Sequence, residues 1–116
     1  MSKRRTRHDV MRTLLDVLLA LQLSLSDSLS PASRRVFVAL AISPRQNVGQ
    51  IARTANVSDS VASRSVSALA SQKLVSCSRD PTERRRLIVR LTRLGERAAQ
   101  ELAAEVLDAL RPARPE

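Results

Sequence analysis

Between Asn47 and Thr92, two short runs of helical periodicity meet at Asn56-Val57, and two aliphatic runs then flank a basic loop. That order leaves few folds open. Val48, Ile51, Ala52 and Ala55 give a helix over about Val48 to Ala55 one apolar face. Asparagine tolerates the left-handed backbone that a corner such as Asn56-Val57 requires. The second helix starts at Ser58, whose hydroxyl can accept from a free first-turn N–H, with Asp59 and Ser60 at the positive end of the helix dipole. Ala62, Val66 and Leu69 mark its buried face, and Ser60, Ser63, Arg64, Ser67 and Ser71 lie on the opposite side. A shaft of small hydroxyls and one arginine is narrow enough for a major groove, where serine bonds base edges or phosphates and arginine forks onto guanine. Two short amphipathic helices are equally a pattern of ordinary core packing, so the pair does not decide alone.

The ribbon adds weight. Leu74 to Ser78 and Leu87 to Leu91 read as strands bounded by turn signals. Between them runs Arg79-Asp80-Pro81-Thr82-Glu83-Arg84-Arg85-Arg86, a hairpin tip with three consecutive arginines. A protruding basic hairpin beside a groove-sized helix can reach flanking phosphates or the minor groove. The alternative is a charge run that serves only solubility.

Taken together, Ser58-Asp59-Ser60-Val61-Ala62-Ser63-Arg64, Leu69, Leu74-Val75, Asp80-Pro81-Thr82-Glu83-Arg84-Arg85 and Leu91-Thr92-Arg93-Leu94-Gly95 resemble winged-helix regulators of the multiple antibiotic resistance regulator (MarR) type. The resemblance covers most of the chain in outline, and its specific part is Ile51 to Gly95. It implies a mostly α (α+β) winged helix-turn-helix with a two-stranded wing, acting as a homodimeric transcriptional repressor or activator, of which a repressor is expected. It also implies a recognition helix over Ser58 to Gln72 and wing contacts from Arg84 to Arg86. The residues assigned to DNA are then Ser58, Asp59, Ser60, Val61, Ser63, Arg64 and Ser67 with Arg84, Arg85 and Arg86. Two residues depart from the family pattern. Glu83 stands where the family usually has an aspartate paired with an arginine across the wing, and keeps the charge on a longer arm. Lys73 stands where glycine is common before the leucine matching Leu74. A positive φ there costs lysine about 1 kcal/mol relative to glycine, so a differently shaped helix exit is expected.

Length allows one domain, 1–116, with a single modest core. Its DNA-binding part is expected over 30–92 and dimerisation helices over about 8–29 and 93–111. The formal charge of +9 is concentrated: residues 30–93 hold twelve Lys or Arg against Asp59, Asp80 and Glu83, whereas residues 94–116 hold three against five acids. Such asymmetry favours nucleic acid over a generally sticky basic protein. The bias to arginine suits bidentate phosphate or guanine contacts, although genomic base composition can produce it too.

Lys3, Arg4, Arg5 and Arg7 form a short basic arm before an apolar run from Val10 to Leu25. A basic start and an apolar stretch also describe a secretory signal. Asp16 and Gln22 interrupt the run, which is too short and polar to span a bilayer. A helix apolar on more than one face must bury more than one face, and the surplus points to a second subunit. The last helix, Arg93 to about Leu110 with Thr92 as its cap, repeats the logic through Leu94, Ala98, Leu102, Val106 and Leu110, widened by Ala99, Ala103 and Leu107. A two-fold dimer through the first and last helices is therefore expected. Ser30-Pro31 begins a further helix with Val36, Phe37, Leu40 and Ala41 facing inward. Ser43 to Asn47 reads as a loop.

Enzymatic chemistry is not expected. Cys77 is the only cysteine, which fits a reducing, cytoplasmic setting, and core packing is the plain reading for it. His8 stands alone, no cofactor or metal site is indicated, and Gly49 and Gly95 are too far apart for a phosphate loop. Phe37, the one aromatic residue, gives no platform for single-stranded nucleic acid. The resemblance carries the family's response to small aromatic acids or drugs, for which this chain has no aromatic wall beyond Phe37, so the effector stays unassigned. The competing readings are a non-specific architectural or replication-associated DNA-binding protein and, more weakly, a winged helix used as a protein-interaction module.

Overall fold

The computed structural model describes residues 6–24, 28–43, 45–83 and 85–111. The order is α1 (Arg7–Ser24), α2 (Pro31–Ile42), β1 (Arg45–Asn47), α3 (Val48–Ala55), α4 (Asp59–Ser71), β2 (Val75–Arg79), β3 (Leu87–Leu91) and α5 (Arg93–Ala109). The expected winged helix-turn-helix is present.

Side-chain caps set most of the helix starts. Ser30 accepts from the Ser33 amide with Pro31 in the first turn, Ser58 accepts from the Val61 amide, and Thr92 accepts from the Gly95 amide. Asn47 and Gln50 form a reciprocal capping box that opens α3. α3 and α4 also end alike, each in a left-handed residue. Asn56 has φ 57°, and the Val57 N–H reaches back 2.9 Å to the Ala52 carbonyl. Lys73 has φ 63°, its N–H bonds the Ala70 carbonyl and the Leu74 N–H bonds the Leu69 carbonyl at 3.0 Å. This is a Schellman motif, with Leu74 and Leu69 both buried. The expected change of shape at the α4 exit is therefore not found: lysine takes the conformation that glycine would take more easily.

The sheet corrects two expectations. Ser43 to Asn47 is not all loop, because Arg45–Asn47 forms a strand, and the wing hairpin is part of a three-stranded antiparallel sheet in the order β1-β3-β2. Gln46 explains the position of β1. It is buried opposite Val89, and its Nε2 donates to the carbonyls of Ala39 at 2.8 Å and Ser43 at 2.6 Å, tying the strand to the end of α2. Leu74 belongs to the helix exit, since β2 starts at Val75, which pairs with Leu91.

The core joins α2, α3, α4, the sheet and Leu102 of α5 around Phe37, Leu40, Ile51, Leu69, Val36 and Val89. Ala39, not the expected Ala41, is the buried alanine on this side of α2; Ala41 is exposed. Helix α1 packs along α5 rather than into the core. The molecule extends 58 × 24 × 23 Å, with a radius of gyration of 16.6 Å. A compact domain of this length would have about 13 Å. The difference is a helical stalk standing off the winged-helix body.

Candidate nucleic-acid interface

Helix α4 turns Ala62, Ser65, Val66 and Leu69 into the core. Its other side, comprising Ser60, Ser63, Arg64, Ser67 and Ser71, is exposed, as are Ser58 and Asp59, while Val61 is half-buried. The hydroxyls are not equivalent. Ser67 and Ser71 donate back to the carbonyls of Ser63 and Ala68, so they meet a ligand chiefly as acceptors, and the Ser58 and Ser60 hydroxyls pair at 3.3 Å. Among the described residues Ser63 and Arg64 have no intramolecular side-chain partner, which leaves their donors available. Ser65 is the one serine of the helix in the core.

The wing turn is built on Asp80. Its carboxylate accepts from the Thr82 N–H at 2.9 Å and hydroxyl at 2.8 Å, while the Asp80 N–H donates to the Arg86 carbonyl. The Thr82 amide, then the Thr82 hydroxyl, hold this carboxyl below its ordinary value, so it remains ionised and the turn remains closed across the neutral range. Glu83 pairs with Arg86 at 3.0 Å, near neighbours on the loop. Arg85 and Arg86 are exposed; Arg84 lies outside the described residues. Cys77 does not pack in the core as expected. It is exposed on β2, and partial burial raises its pKa, which favours the inert thiol.

Arg85 and Arg86 of the wing share a cleft with α3. A cavity of about 790 Å³ is lined by Asn47, Gly49 and Arg53 on one side and Glu83, Arg85 and Arg86 on the other. Sequence reasoning passed over Arg53. Its only signal is that it falls off the apolar face of α3, and its neighbours in the cleft come from some thirty residues further along the chain. It also passed over Arg45 and Arg90, both exposed and directly opposite each other on β1 and β3. Like charges in register cost stability unless an anion lies over them. A second cavity, about 830 Å³, lies where α1, α2 and α3 meet, with Leu18, Val38 and Ile42 as apolar wall and Arg34, Arg35 and Thr54 as polar lining.

With this geometry in view, comparison with family models finds a match to the MarR family over residues 27–86, more than half of the chain. The chain belongs to the MarR family. Its fold agrees with several solved structures. The YusO protein from Bacillus subtilis superposes with a TM-score of 0.71 at 19% identity, over 85% of this chain and 68% of that one. The transcriptional repressor CouR, solved bound to a 23-mer DNA duplex, gives 0.68 at 21% identity over 91% and 80%. BpsR of Bordetella bronchiseptica, described for regulation of its DNA binding by 6-hydroxynicotinic acid, gives 0.65 at 21% over 88% and 78%. A sequence comparison with curated proteins finds no match. Among the described residues no helix is long and apolar enough to cross a membrane, and no cluster of His, Cys, Asp and Glu could hold a metal ion.

Proposed function

We propose that this MarR-family chain is a dimeric, sequence-specific double-stranded-DNA-binding transcriptional regulator, acting as a repressor in the cytoplasm. The observation that carries the reading is the outer face of α4. An exposed strip of short hydroxyls with one unpaired arginine, capped at Ser58 and backed by a firm core, is what a major groove admits. Ser63 and Arg64 supply donors for base edges, and Asp59 can accept from an exocyclic amine. Arg84, Arg85 and Arg86 bring charge to the phosphates or minor groove beside it.

Dimerisation is supported by the stalk. Val10, Met11, Leu14, Leu15, Leu18 and Leu19 are each 44 to 53% exposed along α1, joined by Leu94, Leu107 and Leu110 on α5. The accessible surface is 8809 Å², against about 6,300 Å² for a compact monomer of this mass. Covering each such side chain contributes about 1 to 2 kcal/mol. Six from α1 of each subunit would then offset an association cost of about 4 to 15 kcal/mol. A two-fold axis through the stalks gives two α4 helices facing half-sites one helical turn apart.

The cavity among α1, α2 and α3 supports control by a small organic anion. Its apolar wall and two arginines suit a small aromatic acid, the class to which 6-hydroxynicotinic acid belongs. Because Leu18 of α1 lines it, occupancy would change how the stalk meets the reading body.

The deciding experiment selects duplexes from a random pool with the purified protein and footprints the winner. Discrete protection of an inverted repeat is expected. Uniform coverage without register would instead establish the architectural reading.

A further inference from the structure

The cleft between α3 and the wing contains cations that readout by α4 does not use. Arg53 from α3 and Arg85 and Arg86 from the wing line one solvent-open space of about 790 Å³, and among the described residues Glu83 is the one acid lining it. Among the described residues Arg53 and Arg85 are in no ion pair, whereas Arg86 is held by Glu83 at 3.0 Å. Both partners of that pair are half exposed or more, at 50% and 62%. Three guanidinium groups from two elements around one opening give it a positive potential that favours an anion. Their planar forks match two oxygens of a phosphate better than a single point charge would. Gly49 contributes no side chain to the wall, which leaves room for a bulky anion.

We infer that this cleft seats one backbone phosphate of the bound duplex and that Glu83 is its latch, holding Arg86 in the free protein and yielding it to the phosphate on binding. The inference rests on the DNA-binding reading above and adds to it a phosphate contact away from α4 and an acid that opposes association. The exchange is favourable because an exposed ion pair contributes only about 0 to 1 kcal/mol. An arginine–phosphate fork formed as water leaves an interface is stronger. The Glu83 carboxylate nevertheless remains beside the incoming phosphate, so its charge lowers affinity throughout.

The test measures binding of the full-length protein to one fixed duplex across about 50 to 200 mM salt, where each phosphate neutralised contributes about 0.9 to the log–log slope. Arg53→Ala is expected to weaken binding about threefold to tenfold and to flatten the slope by about one per subunit. Arg53 is exposed, so the change leaves the fold intact, which circular dichroism checks. Glu83→Gln is expected to tighten binding about twofold to fivefold, because Arg86 no longer has to leave a carboxylate. Weaker binding by Glu83→Gln would show that the pair is a strut for the wing and overturn the latch. An unchanged slope for Arg53→Ala, with Arg64→Ala still damaging, would overturn the seat and leave the regulator reading standing. Failure of the wild-type protein to bind any duplex would remove both.

Discussion

Arg64 and Arg85 are both exposed arginines, yet the elements that carry them give them different work. Arg64 projects from a helix fixed by its core face, so its position is set closely enough to choose a base. Arg85 projects from a loop, and in the proposed complex it would meet a charge that every sequence provides. Arg64→Ala is therefore expected to cost about 1 to 3 kcal/mol on the selected site and to relax base preference, whereas Arg85→Ala weakens all duplexes alike and flattens the salt dependence. Competition binding with selected and scrambled duplexes measures this, and equal losses for both variants on both duplexes would remove the assignment of α4. Lys73 is a residue-scale matter of another kind. At φ 63° it bears a strain that glycine would not, so Lys73→Gly should stabilise the fold by about 0.5 to 1 kcal/mol, read as a higher denaturant midpoint. The caps were legible from sequence because they act locally: Ser30, Ser58 and Thr92 each satisfy an amide three residues ahead, and Asn56 takes its corner with no distant help. Arg53 was not legible, because its meaning depends on a loop that reaches it only in three dimensions.

At the scale of elements, one junction ties α4 to the stalk. The Thr92 hydroxyl donates to the Lys73 carbonyl at 2.6 Å and the Thr92 N–H to the Leu74 carbonyl at 3.0 Å, so the α4 exit and the α5 start are one unit. Gly95 completes it by close approach: a Cβ there would lie 2.1 Å from the Leu74 oxygen, a backbone atom with hydrogen bonds to keep. Gly95→Ala should therefore destabilise by about 1 to 3 kcal/mol, even though alanine gains about 1 kcal/mol as a helix former. Gly49→Ala is the control, since its nearest neighbour would be the Asn47 Oδ1 at 3.4 Å and its stability should hold or rise. Urea midpoints compare the two, and equal stability would mean that the junction yields easily. The Thr-Arg-Leu-Gly stretch pointed to the fold family as a pattern, but its physical reason appears only with Leu74 packed over it. β1 was hidden for a related reason. Arg45-Gln46-Asn47 is polar and short, with no alternating apolar pattern to announce a strand, and it is held by Gln46 hydrogen bonds to the carbonyls of Ala39 in α2 and of its C-cap Ser43.

At the scale of the whole molecule, charge and apolar surface are divided between two ends. The winged-helix body carries most of the cations, while the α1–α5 stalk carries exposed leucines and sets the acids Glu101, Glu105 and Asp108 beside Arg7, Arg12, Arg93 and Arg97. The surplus of leucine in α1 was readable from sequence as a surface with no partner within one chain, and the structure leaves it uncovered even though α1 packs against α5. A body that reads one half-site gains affinity from being joined to a second, because binding of one places the other at a high effective concentration. Dimerisation and specific binding should then fail together. Leu15→Glu puts a charge into the middle of the α1 surface without touching the body, since Leu15 is 53% exposed in the single chain. Sedimentation should show monomer at a micromolar concentration at which the wild type is expected to be a dimer. Circular dichroism should be retained, and affinity for the inverted repeat should fall by about 10²- to 10⁴-fold while affinity for an isolated half-site changes little. A variant that remains dimeric, or a monomer that keeps full affinity for the repeat, would show that the stalk does not set the spacing of the two reading helices.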